Sequence, residues 1–212
     1  MTLTVLGAPG AGKGTMAGSL AKILEIPTIS TGALLRDEIG RGSQLGEKIN
    51  RLISKGNFVP DEIVSELLTK RLLEPDCQNG YILDGFPRNI VQAESLERLG
   101  IHLDKALLLD VPNETIIARL AGRRECPNCR ATYHIRYNPP KQEGVCDECG
   151  TSLNVREDDQ PEVISKRLEI YHKQTEPLIQ FFLQKDLLVT VPGCEGVDDT
   201  VENALRALGV RL

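Results

Sequence analysis

Short runs of β-branched and aliphatic residues alternate along the chain with longer amphipathic stretches, a pattern typical of α/β proteins. The apolar runs predict five parallel strands, at Thr2–Leu6, 28–29, 81–83, 105–111 and 187–191. The stretches between them have the length of helices, beginning with Lys13–Leu24. The pattern therefore predicts a five-stranded parallel sheet with helices packed against it.

Helix-capping residues support this division of the chain. Asn113 follows Pro112 at a predicted helix start, and Pro161 lies in the first turn of another predicted helix. Gly100 follows the amphipathic stretch 90–99, where a helix would end. These are the positions that asparagine, proline and glycine favour at helix ends.

Two segments interrupt the alternation and are predicted to be inserted lobes. Residues 30–59, the first insert, fit two short helices without a strand, and residues 122–159, the second insert, are rich in Cys, Pro, Gly, Asn and charge. The remaining ranges 1–29, 60–121 and 160–212 would form the core domain. No repeat with a period of 20–50 residues is present, so a solenoid is not expected.

The composition fits a folded, enzyme-sized protein and limits its partners. The 212 residues are 26% charged, with a net charge of -5. An acidic chain is a poor partner for nucleic acid, which normally requires a basic face, although a small anionic ligand needs only a local cationic pocket. The N-terminal segment lacks a basic and apolar signal, and no stretch has the ~20 apolar residues of a membrane span. We therefore expect a cytoplasmic protein without membrane association.

The first predicted strand leads into a glycine-rich loop, residues 7–15, which is followed by a predicted helix. Its glycines allow backbone N–H groups to converge on oxygen anions, and the helix N-terminus adds positive charge. Lys13 would then reach the β and γ phosphates of a nucleotide. In the usual phosphate-binding loop a residue with a hydroxyl group directly follows the lysine. Here Gly14 stands at that position, and the hydroxyl residue, Thr15, comes one position later.

Four of the six cysteines form two C-x-x-C pairs in the second insert, Cys126 with Cys129 and Cys146 with Cys149. This spacing is typical of a zinc ribbon, and four thiolates suit tetrahedral Zn²⁺ in a structural site. Two disulfides, idle thiols, or iron in a similar sulfur shell are the alternatives. Cys77 and Cys194 stand alone and are expected to pack as small apolar residues or lie in loops.

Two further motifs, STGALLR at 30–36 and DGFPR at 84–88, resemble the acceptor-binding signatures of the adenylate kinase family. The glycine loop also resembles that of nucleoside monophosphate kinases. The likeness extends over essentially the whole chain, through segments 59–62, 122–124, 133–134, 138–141, 156–160, 166–168 and 174–178. This chain departs from the usual family pattern at Ala33 and Asn89, where aspartate and threonine are usual.

The resemblance implies a P-loop kinase fold with two mobile inserted lobes, and a role for each residue that matches a family motif. The catalytic set would be Lys13, Arg88, Arg123, Arg156 and Arg167. ATP would bind to Gly10, Ala11, Gly12, Lys13, Gly14, Thr15, Arg119, Arg123, Thr132, Tyr133 and Glu195. AMP would bind to Thr31, Arg36, Asn57, Phe58, Val59, Gly85, Phe86, Pro87, Arg88, Gln92, Arg156 and Arg167.

The resemblance also implies a reaction, in which ATP passes its terminal phosphoryl group in line to AMP and two ADP result. Asp84 closes a predicted strand and would hold Mg²⁺ through water. The second insert would be a zinc-bound lid that excludes water, on a protein that acts as a monomer. His134 is expected to form hydrogen bonds within the lid, while Asp158 and Asp159 either hold lid arginines or solvate a hinge.

Three other functions remain as alternatives. A UMP/CMP kinase would share the glycine loop, but those relatives generally have a short lid. A nucleic-acid-binding zinc ribbon joined to an ATPase is disfavoured by the acidic balance. A GTPase is disfavoured because the chain has no guanine-reading Asn/Thr-Lys-x-Asp motif.

Overall fold

A parallel sheet lies at the centre of the computed structural model, which describes residues 1–194 and 196–210. The strands of the described residues are β1 (Thr2–Leu6), β2 (Thr28–Ser30), β3 (Tyr81–Asp84), β4 (Lys105–Asp110), β5 (Arg123–Glu125), β6 (Thr132–His134) and β7 (Leu188–Pro192). The helices are α1 (Lys13–Leu24), α2 (Thr31–Gly40), α3 (Gln44–Ile53), α4 (Asp61–Leu72), α5 (Ile90–Arg98), α6 (Asn113–Gly122), α7 (Pro161–Ile170), α8 (Pro177–Gln184) and α9 (Val197–Ala207).

Five of the strands form the main sheet in the order β2-β3-β1-β4-β7, with every neighbouring pair parallel. This confirms the predicted sheet, and each predicted strand boundary lies within one residue of the observed one. Chain order and sheet order differ, so the chain crosses the sheet after β3. All five strands point their carboxyl ends toward the same edge, where open parallel sheets place their ligands.

The strands are apolar because helices cover both faces of the sheet. In β1, residues Leu3, Thr4, Val5 and Leu6 are all buried. The strand therefore has no alternation of buried and exposed positions, and its sequence is almost wholly apolar. One core cluster joins β1 and β4 to α1 and α9, and another joins β4 to α8. Each fully buried leucine contributes roughly 2–3 kcal/mol, so this packing fixes the sheet edge that carries the site.

The first insert contains α2 and α3, as predicted, and packs through Leu35 and Ile49 onto the sheet side that carries β2 and β3. The two helices approach closely at Gly46, where an added Cβ would lie 2.5 Å from the Glu38 carbonyl oxygen. Ser30 and Ser43 cap the two helix N-termini with their hydroxyl groups. The Thr31 hydroxyl donates to the Gly85 carbonyl oxygen at 2.9 Å, which holds the start of α2 beside the end of β3.

The second insert has a two-stranded antiparallel sheet of β5 and β6, which the sequence pattern did not predict. Its own apolar cluster is small, consisting of Cys126, Tyr133 and Cys146 with two partly buried neighbours. So few apolar residues cannot stabilise a lobe of this size without another linkage. A metal ion bound by the cysteines would supply one.

The chain segment between α7 and α8 winds as a π-helix over Tyr171–Thr175. Extra residues of this kind inside a helix often lie at functional sites because they redirect one side chain. Here the Thr175 hydroxyl donates a hydrogen bond of 2.7 Å to the Arg88 carbonyl oxygen. Across the described ranges, none of the helices combines the length and apolar character that a membrane span requires.

Candidate active site and metal centre

The glycine loop turns sharply from β1 into α1 at the carboxyl edge of the sheet. Gly10 and Gly12 have positive φ values of 85° and 105°, which L-residues with side chains rarely adopt. An added Cβ on Gly10 would lie 2.5 Å from Leu120 Cγ, and one on Gly14 would lie 3.2 Å from Asp84 Oδ2. The glycines therefore let the loop pass close to α6 on one side and to Asp84 on the other.

The Lys13 ammonium group lies inside the loop and donates hydrogen bonds to the carbonyl oxygens of Gly7 (2.8 Å) and Ala8 (2.9 Å). Burial lowers the pKa of Lys13 to about 8, although the nearby Asp84 carboxylate acts in the opposite direction. Positive charge from Arg88 and Arg167 lowers it further. A partly buried cation surrounded by other cations is well placed to bind a polyanion.

Arg88 lies across the cleft from the loop, with its Nε donating to the Gly85 carbonyl oxygen at 2.8 Å. Its guanidinium group also lies 5.2 Å from the centroid of the Phe58 ring. Burial lowers the pKa of Arg88 to about 10, so the group remains charged at neutral pH. Among the described residues Arg88 has no ion-pair partner, and its terminal nitrogens are therefore available for an anion.

The backbone that presents Arg88 is held by a polar cluster that the sequence analysis did not identify. The Gln92 side chain accepts from the Arg88 N–H at 2.7 Å and donates to Asp61 Oδ1 at 2.6 Å. Asn89 caps α5 by accepting from the Gln92 N–H, and it donates to the same Asp61. This capping explains how asparagine serves at position 89, and the expected binding of AMP by Gln92 stays a prediction.

Arg119 joins the glycine loop to the segment after β7. It donates to the Ala11 carbonyl oxygen at 2.7 Å and to the Cys194 carbonyl oxygen at 2.8 Å. Its guanidinium group lies 5.8 Å from the centroid of the Tyr137 ring. The planar group is thus fixed in orientation at the outer end of the loop, as stacking on a base requires.

Two buried carboxylates neutralise arginines of the cleft. Asp159 accepts from Arg123 Nε at 2.7 Å and from Arg167 at 3.1 Å, while Asp158 pairs with Arg167 at 2.9 Å. Burial opposes ionisation of Asp158, but the surrounding arginines, Arg167 foremost, lower its pKa. Of the two roles left open for Asp158 and Asp159, holding arginines is the one that fits these contacts.

A third carboxylate, Glu125 at the end of β5, was not singled out by the sequence analysis. It faces Arg36 at 3.5 Å and Arg130 at 3.8 Å, and it also pairs with Arg156. A glutamate followed by a cysteine carries no local sign of such a role. The pairing with Arg36 joins residues that are distant in the chain and could be found only in three dimensions.

These groups line one cleft of about 650 Å³ between the sheet edge and the two inserts. Its described lining includes seven arginines and two lysines but only three carboxylates, those of Asp84, Glu125 and Asp158. The cleft is therefore cationic in a chain of net charge -5.

The cleft brings together most of the predicted site residues, which are Gly10, Ala11, Gly12, Lys13, Gly14, Thr15, Thr31, Arg36, Asn57, Phe58, Val59, Asp84, Gly85, Pro87, Arg88, Gln92, Arg119, Arg123, Thr132, Tyr133, Arg156 and Arg167. Phe86 is instead a core residue, only 1% exposed, and its carbonyl oxygen accepts from Thr4. Glu195 lies outside the described residues.

The four cysteine sulfurs of the second insert converge, all within 4.8 Å of one another. A tetrahedral zinc site with Zn–S bonds near 2.3 Å separates its sulfurs by about 3.8 Å, so the arrangement fits a metal ion with a closed ligand shell. The Tyr133 hydroxyl lies 3.5 Å from Cys146 Sγ and accepts from the Asp147 N–H. Cys77 is buried and Cys194 partly buried, both apart from this cluster.

His134 contributes to the fold of the second insert, as expected. Its Nδ1 accepts hydrogen bonds from the backbone N–H groups of Arg136 (3.0 Å) and Tyr137 (3.1 Å). Burial lowers the pKa of His134, which keeps the ring neutral and able to accept both bonds. The ring fits because Gly122 opposite it lacks a side chain, since an added Cβ would lie 2.3 Å from Nε2.

Comparison with known proteins gives a consistent result. A family model described as adenylate kinase matches residues 5–187. An adenylate kinase of Caldicellulosiruptor saccharolyticus is 51% identical over 99% of this chain and 100% of its own length. Adenylate kinases of Acetivibrio thermocellus (50% identical, all of both chains) and Lachnospira eligens (47%, 99% and 100%) are similar over the same extent.

Proposed function

The chain belongs to the adenylate kinase family, whose reaction converts ATP and AMP to two ADP, and we propose that it performs this reaction by direct in-line transfer in the cationic cleft. The observation that carries this proposal is the placement of Arg88. Its partly buried guanidinium group has no ion-pair partner among the described residues and lines the same cleft as Lys13. Two separate cationic centres in one cleft suit two phosphate-bearing substrates.

We assign the donor nucleotide to the glycine-loop side of the cleft. Residues 10–15 would surround the phosphates with backbone N–H groups and the Lys13 ammonium, while Arg119 would stack on the adenine. Thr132, Tyr133 and Glu195 complete the proposed donor site. The hydrogen bonds that hold Arg119 to Ala11 and Cys194 support this role, because they orient its planar face.

We assign the acceptor to the pocket formed by the first insert and the 84–92 segment. Arg36 and Arg88 would bind its phosphate, and Thr31, residues 57–59, residues 85–87 and Gln92 would enclose the nucleoside. Phe86 contributes through its backbone, because its ring belongs to the core. Planar guanidinium groups can bind phosphate through two parallel hydrogen bonds, which fixes its direction as well as its position.

Catalysis would then consist of positioning two nucleotides and neutralising the transferred group. Arg123, Arg156 and Arg167 are the proposed cations around that group. In this structure they pair with Asp159, Glu125 and Asp158. These carboxylates pair with the arginines until phosphate oxygens replace them. The arginines are thereby held in position, with their charge neutralised, before the nucleotides bind.

Magnesium would accompany the nucleotide and would neutralise part of the phosphate charge. The residues fit this role because Asp84 lies beside the glycine loop and provides hard oxygen ligands of the kind Mg²⁺ prefers. Thr15 offers a hydroxyl group on the same loop. We propose that Asp84 holds the ion through water.

We further propose that the second insert is a zinc-stabilised lid and the first insert a mobile acceptor lobe, on a protein that acts as a monomer in the cytoplasm. Closure of both over the cleft would keep water from accepting the phosphoryl group. Four thiolates leave no open coordination position, so the zinc ion would be structural. The ranges 1–29, 60–121 and 160–212 would form the core that carries both lobes.

The choice of acceptor is tested by a coupled assay of ADP formation with AMP, CMP, UMP and GMP. We expect AMP to exceed each of the others in kcat/KM by at least about 100-fold, because a polar site rejects a base that leaves its buried groups unpaired. The UMP/CMP kinase alternative predicts the opposite order. A preference for a pyrimidine monophosphate would therefore overturn the assignment to AMP.

The lowered pKa of Lys13 also predicts a pH dependence. Its pKa of about 8 in the free protein means that the ammonium form is present below this pH and is lost above it. We expect kcat/KM for MgATP, measured between about pH 6 and 9.5, to fall as pH rises through 8. The control is kcat at saturating MgATP, whose decline should begin at higher pH because bound phosphate favours the charged lysine. A level kcat/KM profile up to pH 9.5 would contradict this role.

A further inference from the structure

The side chain of Glu125 lies at a junction of three arginines that come from separate parts of the chain. Arg36 belongs to α2, Arg130 follows the cysteine Cys129, and Arg156 lies near the end of the second insert. Arg36 Nε and Arg130 approach Glu125 Oε1 to 3.5 and 3.8 Å, and Arg156 pairs with Oε2. The glutamate side chain is only 6% exposed.

The backbone of Glu125 is fixed within the second insert. Its N–H donates to the Asn154 carbonyl oxygen at 2.8 Å, and its own carbonyl oxygen accepts from the Asn154 N–H at 2.9 Å. On the other side it pairs with Thr132 of β6, and Cys126 of the cysteine cluster follows it. The carboxylate is therefore held by the second insert, whereas Arg36 belongs to the first. Arg130 and Asp37 form a second contact between the inserts at 3.5 Å.

The arginines around Glu125 retain capacity to bind another anion. Arg36 Nε and Arg156 Nε are buried and, within the described residues, have no hydrogen-bond partner. Burial lowers the pKa of both arginines, and Arg123 lowers both further. Donors that are desolvated and unpaired in this way are costly to leave unused, which indicates that a ligand completes the cluster.

We propose that Glu125 is a positioning residue that sets the affinity for the acceptor, because its carboxylate competes with the acceptor phosphate for Arg36 and Arg156. This inference rests on the acceptor site proposed above. In the empty cleft the carboxylate is the counter-ion of both arginines and joins the two inserts. When AMP binds, its phosphate replaces the carboxylate on Arg36, and the remaining negative charge of Glu125 opposes tight retention of the nucleotide.

The test is Glu125→Gln, which removes the charge and keeps the size of the side chain. We expect KM for AMP, and the dissociation constant for AMP measured by calorimetry, to fall about five- to tenfold. KM for MgATP should stay within about twofold of its original value. Because tighter retention slows departure of the nucleotide from this pocket, kcat should not rise. A purely structural role would not lower one KM selectively.

Two further variants isolate the effect of charge at this position. Glu143→Gln removes a carboxylate from an exposed position of the same insert and should leave both KM values unchanged. Glu125→Met removes the charge and also the hydrogen-bonding groups, and it should lower KM for AMP as Glu125→Gln does. Metal content and melting temperature of each variant establish that the second insert is intact.

An unchanged or raised KM for AMP in folded Glu125→Gln and Glu125→Met overturns the proposal. If neither variant retains its metal and fold, Glu125 is a structural residue and the proposal is likewise overturned. Arg36→Met separates this failure from failure of the acceptor site itself. If Arg36→Met leaves KM for AMP unchanged, the proposed acceptor site is wrong. If Arg36→Met raises KM for AMP while Glu125→Gln has no effect, the acceptor site stands and only the competition between the Glu125 carboxylate and the phosphate is refuted.

Discussion

Replacing Arg88 with lysine is expected to lower kcat/KM for AMP by roughly 10³, comparable to the loss of an arginine that stabilises phosphoryl transfer. Lysine keeps the positive charge but cannot offer two parallel donors, nor can it keep both the Gly85 contact and the contact with Phe58. Because the lost contacts hold the acceptor phosphate in line, kcat should fall as well as KM rise. Steady-state kinetics with varied AMP at saturating MgATP measure both effects.

The matched control for this substitution is Arg98→Lys, at an exposed position near the end of α5. It makes the same chemical change outside the cleft and should leave both kinetic constants within about twofold, as surface substitutions normally do. Circular dichroism of Arg88→Lys should match that of the unmodified protein, because the backbone around residue 88 is held by Gln92 and Thr175. A folded Arg88→Lys variant with undiminished kcat/KM would refute the role assigned to Arg88.

Removal of the metal is expected to have the largest effect on stability. Cys146→Ser replaces a buried sulfur that is 2% exposed, and it leaves three of the four ligands. Structural zinc sites contribute roughly 10–16 kcal/mol of apparent binding energy, and the second insert has few apolar residues to compensate. We therefore expect the variant to lose its metal and its melting temperature to fall by at least about 10 °C.

Elemental analysis and thermal unfolding of the purified, reduced protein test this expectation. The unmodified protein should contain one zinc per chain, and chelation should lower thermal stability more than it lowers the rate at low temperature, because a shell of four thiolates would leave the ion no open position for substrate. Cys194→Ser, which lies outside the cluster, is the control and should retain one zinc. Absence of metal from the unmodified protein, or an unchanged melting temperature in Cys146→Ser, would refute the structural metal site.

Local sequence patterns were sufficient to predict the main sheet. Strands covered on both faces are almost wholly apolar, so runs such as Leu3–Leu6 stand out from the amphipathic helices around them. The glycine loop was equally clear, since its positive φ values and close approach to Leu120 require glycine at fixed positions. In both cases a backbone requirement leaves a direct mark on residue type.

The sheet of the second insert was less accessible to prediction. β5 and β6 are three residues long each, and charged or polar residues occupy most of their positions. They are held by backbone pairing, by the cysteine cluster and by the hydrogen bonds of His134 at the end of β6, so that hydrophobic periodicity is absent. A short strand stabilised in this way has no periodic signal to detect.

Pairings between distant side chains could not be predicted either. The contacts of Glu125 with Arg36 and of Asp61 with Gln92 join parts of the chain that meet only in the folded protein. A buried glutamate and an exposed one have the same local sequence pattern. Motifs thus identified the arginines of the cleft, whereas their carboxylate partners required the three-dimensional structure.

The two ends of the second insert lie close together, and its backbone hydrogen bonds lie within the insert, as between Glu125 and Asn154. A homologous segment from another relative could therefore be transplanted between α6 and α7 without redesign of the sheet. Heat tolerance of the enzyme would then be adjustable through a single exchangeable module. The same modularity would allow a segment without cysteines to replace this one while Lys13 and Arg88 of the core stay as they are.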